Sequence, residues 1–270
     1  MTRTFGERFW TAVAWVAAAL VLAFLVVPIL AVLPLSANDS RFLVYPLQGF
    51  STRWYEEFFA SERWSLAIWN SLFIGISAAL LATVLGTLAA IGLAMTEFRG
   101  KAVLVGILLA PMIVPVIIFA VGLAFFFGPL GLTQTYTGLI LSHAALGTPF
   151  VVVTVSAALQ GFDRNLARAA NSLGAGPVTT FRRVMLPLIG PGVASGALFA
   201  FAVSLDEVVT ILIIGGPQHR TIPREMFSGI RENISPTIAA AAVVMTIVAV
   251  FLLGAVEFLR ARGERIRARG

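Results

Sequence analysis

Residues 168–187 read RAANSLGAGPVTTFRRVMLP and form the largest polar interruption in the C-terminal two thirds of an otherwise apolar chain. Long apolar runs lie on both sides of this stretch. Gly174 and the pair Gly176-Pro177 divide it, because glycine accommodates a tight turn and proline cannot continue a helix. We therefore expect two short helical pieces, at 166–173 and 179–185, exposed between two membrane spans.

The composition is that of a membrane protein. Of the 270 residues, 59% are hydrophobic and only 12% are charged, whereas about 25% of the residues in soluble domains are charged. The mean hydropathy is +0.93. The chain has no cysteine, so a disulfide framework and a thiolate metal site are both excluded.

Six apolar runs are long enough to cross a bilayer, which requires roughly 20 residues per helix. The sequence therefore predicts an all-α polytopic membrane protein forming one domain over residues 1–270, with a loop at 160–187 between the fourth and fifth spans. Pro111, Pro115 and Pro149 predict bends in their helices. The predicted spans are approximately 9–35, 66–95, 102–127, 137–159, 188–214 and 237–259.

The basic residues predict the orientation of these spans. Thirteen of them, including Arg3 near the N-terminus and Arg269 in the tail, fall on the side of the loop at 160–187, and six fall on the other side. Because the cytoplasmic side carries the excess of Lys and Arg, both termini and this loop are expected in the cytoplasm. The net charge of +6 thus reflects membrane orientation rather than nucleic-acid binding.

Asp206 and Glu207 lie inside the predicted fifth span. A charge at the centre of a membrane helix costs about 2.5–3.5 kcal/mol on insertion scales, so these carboxylates should face a cavity or a partner. Adjacent helical positions point about 100° apart, so one can line a substrate pathway, where it would attract a cation, while the other packs elsewhere. The alternative is that both pair with arginines of the loop at 215–235 or of a partner subunit.

Other polar and small residues are given structural roles. His143, near the outer end of the fourth span, is expected to be a hydrogen-bonded packing residue, because no second His or Cys supports a metal site. Gly192 and Gly196, like Gly75 and Ala79, have the small-xxx-small spacing that permits close helix packing.

The quoted stretch resembles the cytoplasmic signature of permease subunits of ABC importers, in which a coupling helix docks onto the ATP-hydrolysing subunit. The matching positions are Ala169-Ala170, Gly174, Val184 and Leu186-Pro187. Arg168 replaces the glutamate that is usual there, so the salt bridge of a glutamate is not carried over. The resemblance implies that Arg168, Ala169, Ala170, Gly174, Val184, Leu186 and Pro187 form the ATPase-subunit interface.

Most of the chain, from about residue 50 to 258, is similar to one branch of that family, the second permease subunits of spermidine/putrescine transporters. The residues that carry this similarity are Phe50, Trp54-Tyr55, Asn70-Ser71-Leu72, the run from Ser204 to Val209, Pro223 and Ile234-Ser235-Pro236.

This resemblance implies a six-helix fold with a five-helix importer core, in a multi-pass protein of the bacterial inner membrane. It also implies two ATPase subunits, a second permease subunit in a heterodimer and an extracytoplasmic binding protein. The phosphate-binding pattern GxxxxGK[ST] is absent, so no cofactor and no catalytic residue are predicted in this chain, and ATP and Mg²⁺ would be bound by the partner ATPase subunits.

The function expected from these features is transport of a small cationic solute, a polyamine, along a pathway containing Asp206 and Glu207. Relatives in this branch suggest other small amines, opine-like solutes or aminoethylphosphonate-like solutes as alternatives. An ATP-independent channel or carrier, an oxyanion permease of the same fold and a membrane scaffold without a transport role are the remaining hypotheses.

Overall fold

The computed structural model describes residues 5–232 and 235–267, and these ranges are helical with no strand. Arg3, Ile234 and Arg269 lie outside the described residues. The helices, in chain order, are α1 (Phe5–Ser36), α2 (Arg53–Ala60), α3 (Glu62–Met95), α4 (Lys101–Ile113), α5 (Val116–Phe127), α6 (Tyr136–Gln160), α7 (Arg164–Ser172), α8 (Pro177–Thr180), α9 (Leu186–Asp206), α10 (Val209–Ile214), α11 (Ile222–Glu232) and α12 (Pro236–Arg267).

The predicted all-α polytopic fold is confirmed. Within the described ranges, five helical segments are long and apolar enough to cross a membrane, and the bent pair of α4 and α5 provides a sixth if it forms one span. The five segments are Phe9–Ser36, Glu62–Met95, Tyr136–Gln160, Pro177–Asp206 and Pro236–Ala261.

The third predicted span is not one continuous helix. The chain bends by 108° between α4 and α5, where Val114 adopts an extended conformation and Pro115 precedes α5. Proline disfavours helical geometry in the residue before it and has no N–H to donate. Pro115 therefore marks a complete break, whereas Pro111 and Pro149 lie inside continuous helices.

The fifth predicted span also differs from the prediction at both ends. The helical segment begins earlier, at Pro177, and passes through a π-helical turn at Phe181–Met185 into α9. It ends at Asp206, and Glu207 is extended before α10 begins at Val209. The two carboxylates therefore lie at a break between two helices rather than within one.

Contacts divide the described residues into two compact units, one comprising residues 5–61 with 228–232 and 235–246, and the other residues 62–227 with 247–267. In the first unit, Asn38 organises the loop after α1. Its side-chain oxygen accepts from the backbone N–H of Gln48 (3.0 Å), and its amide donates to the carbonyl of Val44 (3.2 Å). The Trp54 indole donates to the Asn38 carbonyl (2.7 Å), so this aromatic residue is a buried anchor of the loop.

The second unit is built on α3, α6 and α9, which pack against one another. Small residues dominate this contact, and the buried core includes Ala78, Ala82, Ala144, Ala158 and Ala200. Between membrane helices no difference in hydrophobicity drives association, so close van der Waals packing of small residues is a main source of stability.

The predicted small-residue faces lie at these close contacts. A Cβ atom added to Gly196 would lie 2.5 Å from the Thr154 hydroxyl and 3.0 Å from the Val151 Cα atom. A Cβ atom on Gly192 would lie 2.6 Å from the Ala158 Cβ atom, and one on Gly75 would lie 3.0 Å from the Phe201 ring. The distances at Gly196 and Gly192 are too short for a methyl group, so these positions favour glycine where α9 meets α6, and the contact of Gly75 with α9 is also close.

We predict that Gly196→Ala destabilises the protein, whereas Gly190→Ala in the same helix does not. A Cβ atom on Gly190 meets nothing within 4 Å, and alanine is the better helix former by about 1 kcal/mol. Overpacking at Gly196 should cost about 1–3 kcal/mol. The measurement is the thermal midpoint of each variant purified in detergent, and equal midpoints would contradict the assigned α6–α9 contact.

Candidate functional site

The predicted two-piece loop is present, and its first piece ends in a defined turn. Gly174 has φ +84°, in the left-handed region where glycine is favoured. The N–H of Gly174 donates to the carbonyl of Asn171 (3.0 Å), and the N–H of Ala175 donates to the carbonyl of Ala170 (3.0 Å). This pair of bonds is a Schellman motif. The motif explains physically why a glycine occurs at position 174 of this signature.

Side-chain hydrogen bonds fix the loop to its surroundings. Asp163 caps α7 by accepting from the backbone N–H of Asn165 (2.9 Å), and Arg164 donates to the carbonyl of Ala94 at the end of α3. The Thr180 hydroxyl donates to the side-chain oxygen of Asn171 (3.0 Å), which ties the two pieces together. The loop is therefore a structured element.

Several of the predicted interface residues are accessible to a partner. Arg168, Ala169, Gly174 and Pro187 are exposed, and no carboxylate pairs with Arg168 in the part of the chain that the structure describes. The apolar side chain of Leu173, which the sequence analysis did not select, is 89% exposed. Exposed apolar residues beside polar ones are typical of a protein-binding surface.

Other predicted interface residues serve the fold. Ala170, Val184 and Leu186 are half-buried, and Val184 packs against the core cluster that contains Met185 and Ile189. Val184 therefore contributes to packing within this chain.

The run from Ser204 to Glu207 gives each residue a different environment. The Ser204 hydroxyl lies 2.7 Å from His143 Nδ1 on α6, Leu205 is buried, and Asp206 is exposed at the last position of α9. His143 is 1% exposed, so the prediction of a hydrogen-bonded packing histidine is confirmed. This bond fixes the end of α9 against α6.

The two carboxylates differ in their partners. Glu207 Oε1 accepts from the backbone N–H (2.8 Å) and the hydroxyl (3.0 Å) of Thr210, and so caps α10. Among the described residues, no hydrogen bond or ion pair engages the Asp206 carboxylate. Of the two carboxylates at this helix break, that of Asp206 is therefore the one without a partner in the described residues.

Asn70 and Ser71 on α3 hold the loop that follows α10. The Asn70 amide donates to the carbonyls of Gln218 (2.9 Å) and Arg220 (2.8 Å), and its oxygen accepts from the Tyr136 hydroxyl (2.8 Å). The Ser71 hydroxyl accepts from the backbone N–H of Ile222 (2.9 Å). In sequence, Asn70 is a polar residue in an apolar span, and this is the signal that could have predicted its role.

Glu225 completes the attachment of this loop and was not predicted. Its side chain is fully buried and forms ion pairs with Arg63 on α3 and with Arg220 (3.0 Å). The buried carboxylate is thus paired with two partly exposed arginines, as the burial of a charge requires. Arg220 of this loop thus pairs with Glu225, and among the described residues no ion pair joins Asp206 or Glu207 to an arginine of the loop.

His219 is buried in the same loop. Its Nδ1 accepts from the backbone N–H of Gly216 (3.1 Å), and its ring meets Tyr136 edge-on with centroids 4.4 Å apart. Burial, with a further contribution from the charge of Arg224, holds the pKa of His219 below its ordinary value of 6.5. The neutral imidazole is therefore the form that accepts the Gly216 hydrogen bond.

Comparisons with known proteins agree with the sequence resemblance. Residues 82–262 match the family described as binding-protein-dependent transport system inner membrane component. The chain is 34% identical over 232 residues to the spermidine/putrescine transport system permease protein PotC of Escherichia coli K12, covering 86% of this chain and 88% of PotC. It is 35% identical over 250 residues to the putrescine transport system permease protein PotI of the same strain, covering 90% and 88%.

The fold has a solved counterpart. A chain in the crystal structure of a bacterial ABC transporter involved in the import of the acidic polysaccharide alginate superposes with a TM-score of 0.72. It is 16% identical in sequence, and the match covers 94% of this chain and 96% of that one. At this identity the likeness concerns the fold alone.

We predict that acidification destabilises the wild-type protein more than a His219→Gln variant. A histidine whose pKa is lower in the folded state binds more protons when unfolded, so stability decreases as the pH falls below about 6.5. Glutamine can accept the Gly216 bond but does not titrate. The measurement is the thermal midpoint of both proteins between pH 8 and pH 5. Parallel pH profiles would contradict the role of His219, because both proteins retain every other titratable group.

Proposed function

This chain belongs to the family of binding-protein-dependent transport system inner membrane components, and from that premise we propose that it forms the translocation pathway for a polyamine. It is a multi-pass inner-membrane permease subunit of an ABC importer, and ATP is hydrolysed by a partner protein rather than by this chain. The substrate, the pathway residues and the composition of the complex are the proposed parts.

The observation that carries the substrate proposal is the unpaired carboxylate of Asp206 at the C-terminal end of α9. The C-terminal end of a helix carries about half a negative elementary charge, and its last carbonyls have no intrahelical partner. A carboxylate at this position adds to that negative potential. An ammonium group complements both, which agrees with the polyamine names of the relatives PotC and PotI.

Glu207 contributes to the pathway by position rather than by charge. Its carboxylate is engaged by Thr210, so its proposed role is to keep α10 separate from α9 and thereby keep the end of α9 open. An oxyanion substrate would be repelled by Asp206, which argues against the alternative of a sulfate-like solute. Another small amine or an opine-like solute remains the second candidate, since each can present an ammonium group.

The loop at 163–187 is proposed to dock onto an ATPase subunit. Its support is the exposed face containing Arg168, Ala169 and Leu173, together with the hydrogen bonds that make the loop rigid. The complete transporter would contain two ATPase subunits that bind ATP and Mg²⁺, a second permease subunit and an extracytoplasmic binding protein. Both termini of this chain would then be cytoplasmic, as the distribution of basic residues indicates.

The proposal is tested on the assembled complex in liposomes. This chain is co-expressed with its neighbouring genes, and ATPase activity is assayed with binding protein and either spermidine or putrescine. We expect polyamine to stimulate ATP hydrolysis. If an ATPase co-purifies but its activity does not change with polyamine, the polyamine proposal is wrong and the importer assignment stands. If no ATPase co-purifies, the ATP-independent channel is favoured.

We predict that Asp206→Asn lowers polyamine uptake at least tenfold without loss of assembly. A hydrogen bond to a charged group contributes about 1.5–3 kcal/mol, and a factor of ten corresponds to 1.4 kcal/mol. The assay is uptake of labelled spermidine by the reconstituted complex. Asp39→Asn is the matched control, because Asp39 makes only an exposed ion pair with Arg53. Normal uptake by the Asp206 variant would reject its role.

We predict that Gly174→Ser weakens coupling, whereas Gly176→Ser does not. Serine at the φ of +84° found at Gly174 costs roughly 1–2 kcal/mol and distorts the turn. Gly176 has φ −72° and is the N-cap of α8, a position that serine favours. The readouts are ATPase co-purification and stimulation by loaded binding protein. Identical behaviour of the two variants would contradict docking through this turn.

A further inference from the structure

A cleft opens between α6, α9 and the last part of α12, at the same end of the helices as the loop that follows α6. Its volume is about 270 Å³, near the lower end of the roughly 300–1,000 Å³ typical of ligand pockets. Its lining is mostly apolar, with the hydroxyls of Thr154 and Ser195 and one guanidinium. The lining includes Ala158, Leu188, Ser195, Phe199, Val256 and Arg260.

Ser195 is an unpartnered polar group in this cleft. It is 6% exposed, and its hydroxyl has no hydrogen-bond partner in the described chain. Hydroxyls in membrane helices usually donate to the carbonyl four residues earlier, as Thr83 and Thr148 do here (2.6 and 2.7 Å). The hydroxyl of Ser195 does not, so it is a buried, unpartnered group in the lining of the cleft.

Arg260 supplies the charge. Its side chain is 72% exposed and lies one helical turn beyond Val256, and its only recorded ion pair in the described residues is with Glu257 at 3.9 Å. Such an exposed pair is weak. Four more arginines follow in the sequence, at 262, 265, 267 and 269, so this end of α12 leads into a strongly basic segment.

On α12, Arg260 lies one helical turn closer to the basic end of the helix than Val256. Along α9, Leu188, Ser195 and Phe199 occupy successive depths, with about 10 Å between the first two at a rise of 1.5 Å per residue. The basic mouth is on the side to which the arginine count assigns the cytoplasm, where anionic lipids attract juxtamembrane basic residues.

We propose that this cleft is a binding site for one anionic phospholipid of the cytoplasmic leaflet. Arg260 binds the phosphate, the Ser195 hydroxyl donates to an oxygen of the glycerol-ester region, and an acyl chain lies against Phe199 and Val256. The proposal requires the membrane fold and the cytoplasmic placement of this end of α12 that the basic residues predict. It does not depend on the substrate or on the ATPase contact.

The test is native mass spectrometry of the assembled complex, released from nanodiscs that contain equal amounts of phosphatidylglycerol and phosphatidylcholine. We expect retained phosphatidylglycerol to exceed phosphatidylcholine about tenfold. Arg260→Gln should abolish this preference, and Ser195→Ala should lower retention severalfold. Arg99→Gln is the control, because Arg99 is exposed on the same predicted side of the membrane and does not line the cleft.

Retention that is equal for the two lipids, or equal loss in the Arg260 and Arg99 variants, would overturn the proposal. Absence of retained lipid in the assembled complex would also overturn it, and would indicate that a protein chain covers the cleft. Polyamine-stimulated ATPase activity is measured on the same samples. Because bound lipid is scored by mass, loss of polyamine response does not alter the lipid result, and the two proposals can fail independently.

Discussion

A bilayer offers no water to satisfy backbone N–H and C=O groups, so a chain crossing it can leave helical geometry only where the protein itself supplies partners or where a cavity admits water. Two such departures in the described residues lie at Pro115 between α4 and α5 and at Glu207 between α9 and α10. At the second break Glu207 supplies the partner for α10, and the adjacent Ser204 is fixed to His143. The side chains of Glu207, Ser204 and His143 therefore stabilise the helix break next to the exposed carboxylate of Asp206.

The close packing of α3, α6 and α9 makes that arrangement possible. Alanine and glycine at the contacts of α3, α6 and α9 bring helix axes close together, and tightly packed interiors transmit displacement rather than absorbing it. The loop after α10 is attached to the same α3 through Asn70, Ser71 and the buried Glu225. Both ends of α10 are thus attached to the group of packed helices α3, α6 and α9.

Local sequence patterns predicted much of this structure. The contacts between residues that are distant in sequence were not predicted. The apolar runs predicted the helical membrane fold, and Gly174 with Gly176-Pro177 predicted a two-piece loop, because turn chemistry acts over four or five residues. The break after Asp206 was not predicted, since no proline or glycine marks it. Asn70 and Glu225 meet their partners across about 150 residues of sequence, a separation that periodicity cannot detect. The shared fold with an alginate importer shows that architecture leaves substrate chemistry open, and individual side chains must decide it.

The uninterrupted segment Pro177–Asp206 has a mechanical consequence. Its 30 residues correspond to about 45 Å at 1.5 Å per residue, and the Asn171–Thr180 bond attaches one end of it to α7. The opposite end is the residue that bears the free carboxylate. If a helical segment of that length tilts as one body by about 5° about its end at the loop, its other end, at Asp206, moves by about 4 Å. Motion applied at one membrane surface can therefore reposition a charge near the other without any change in secondary structure.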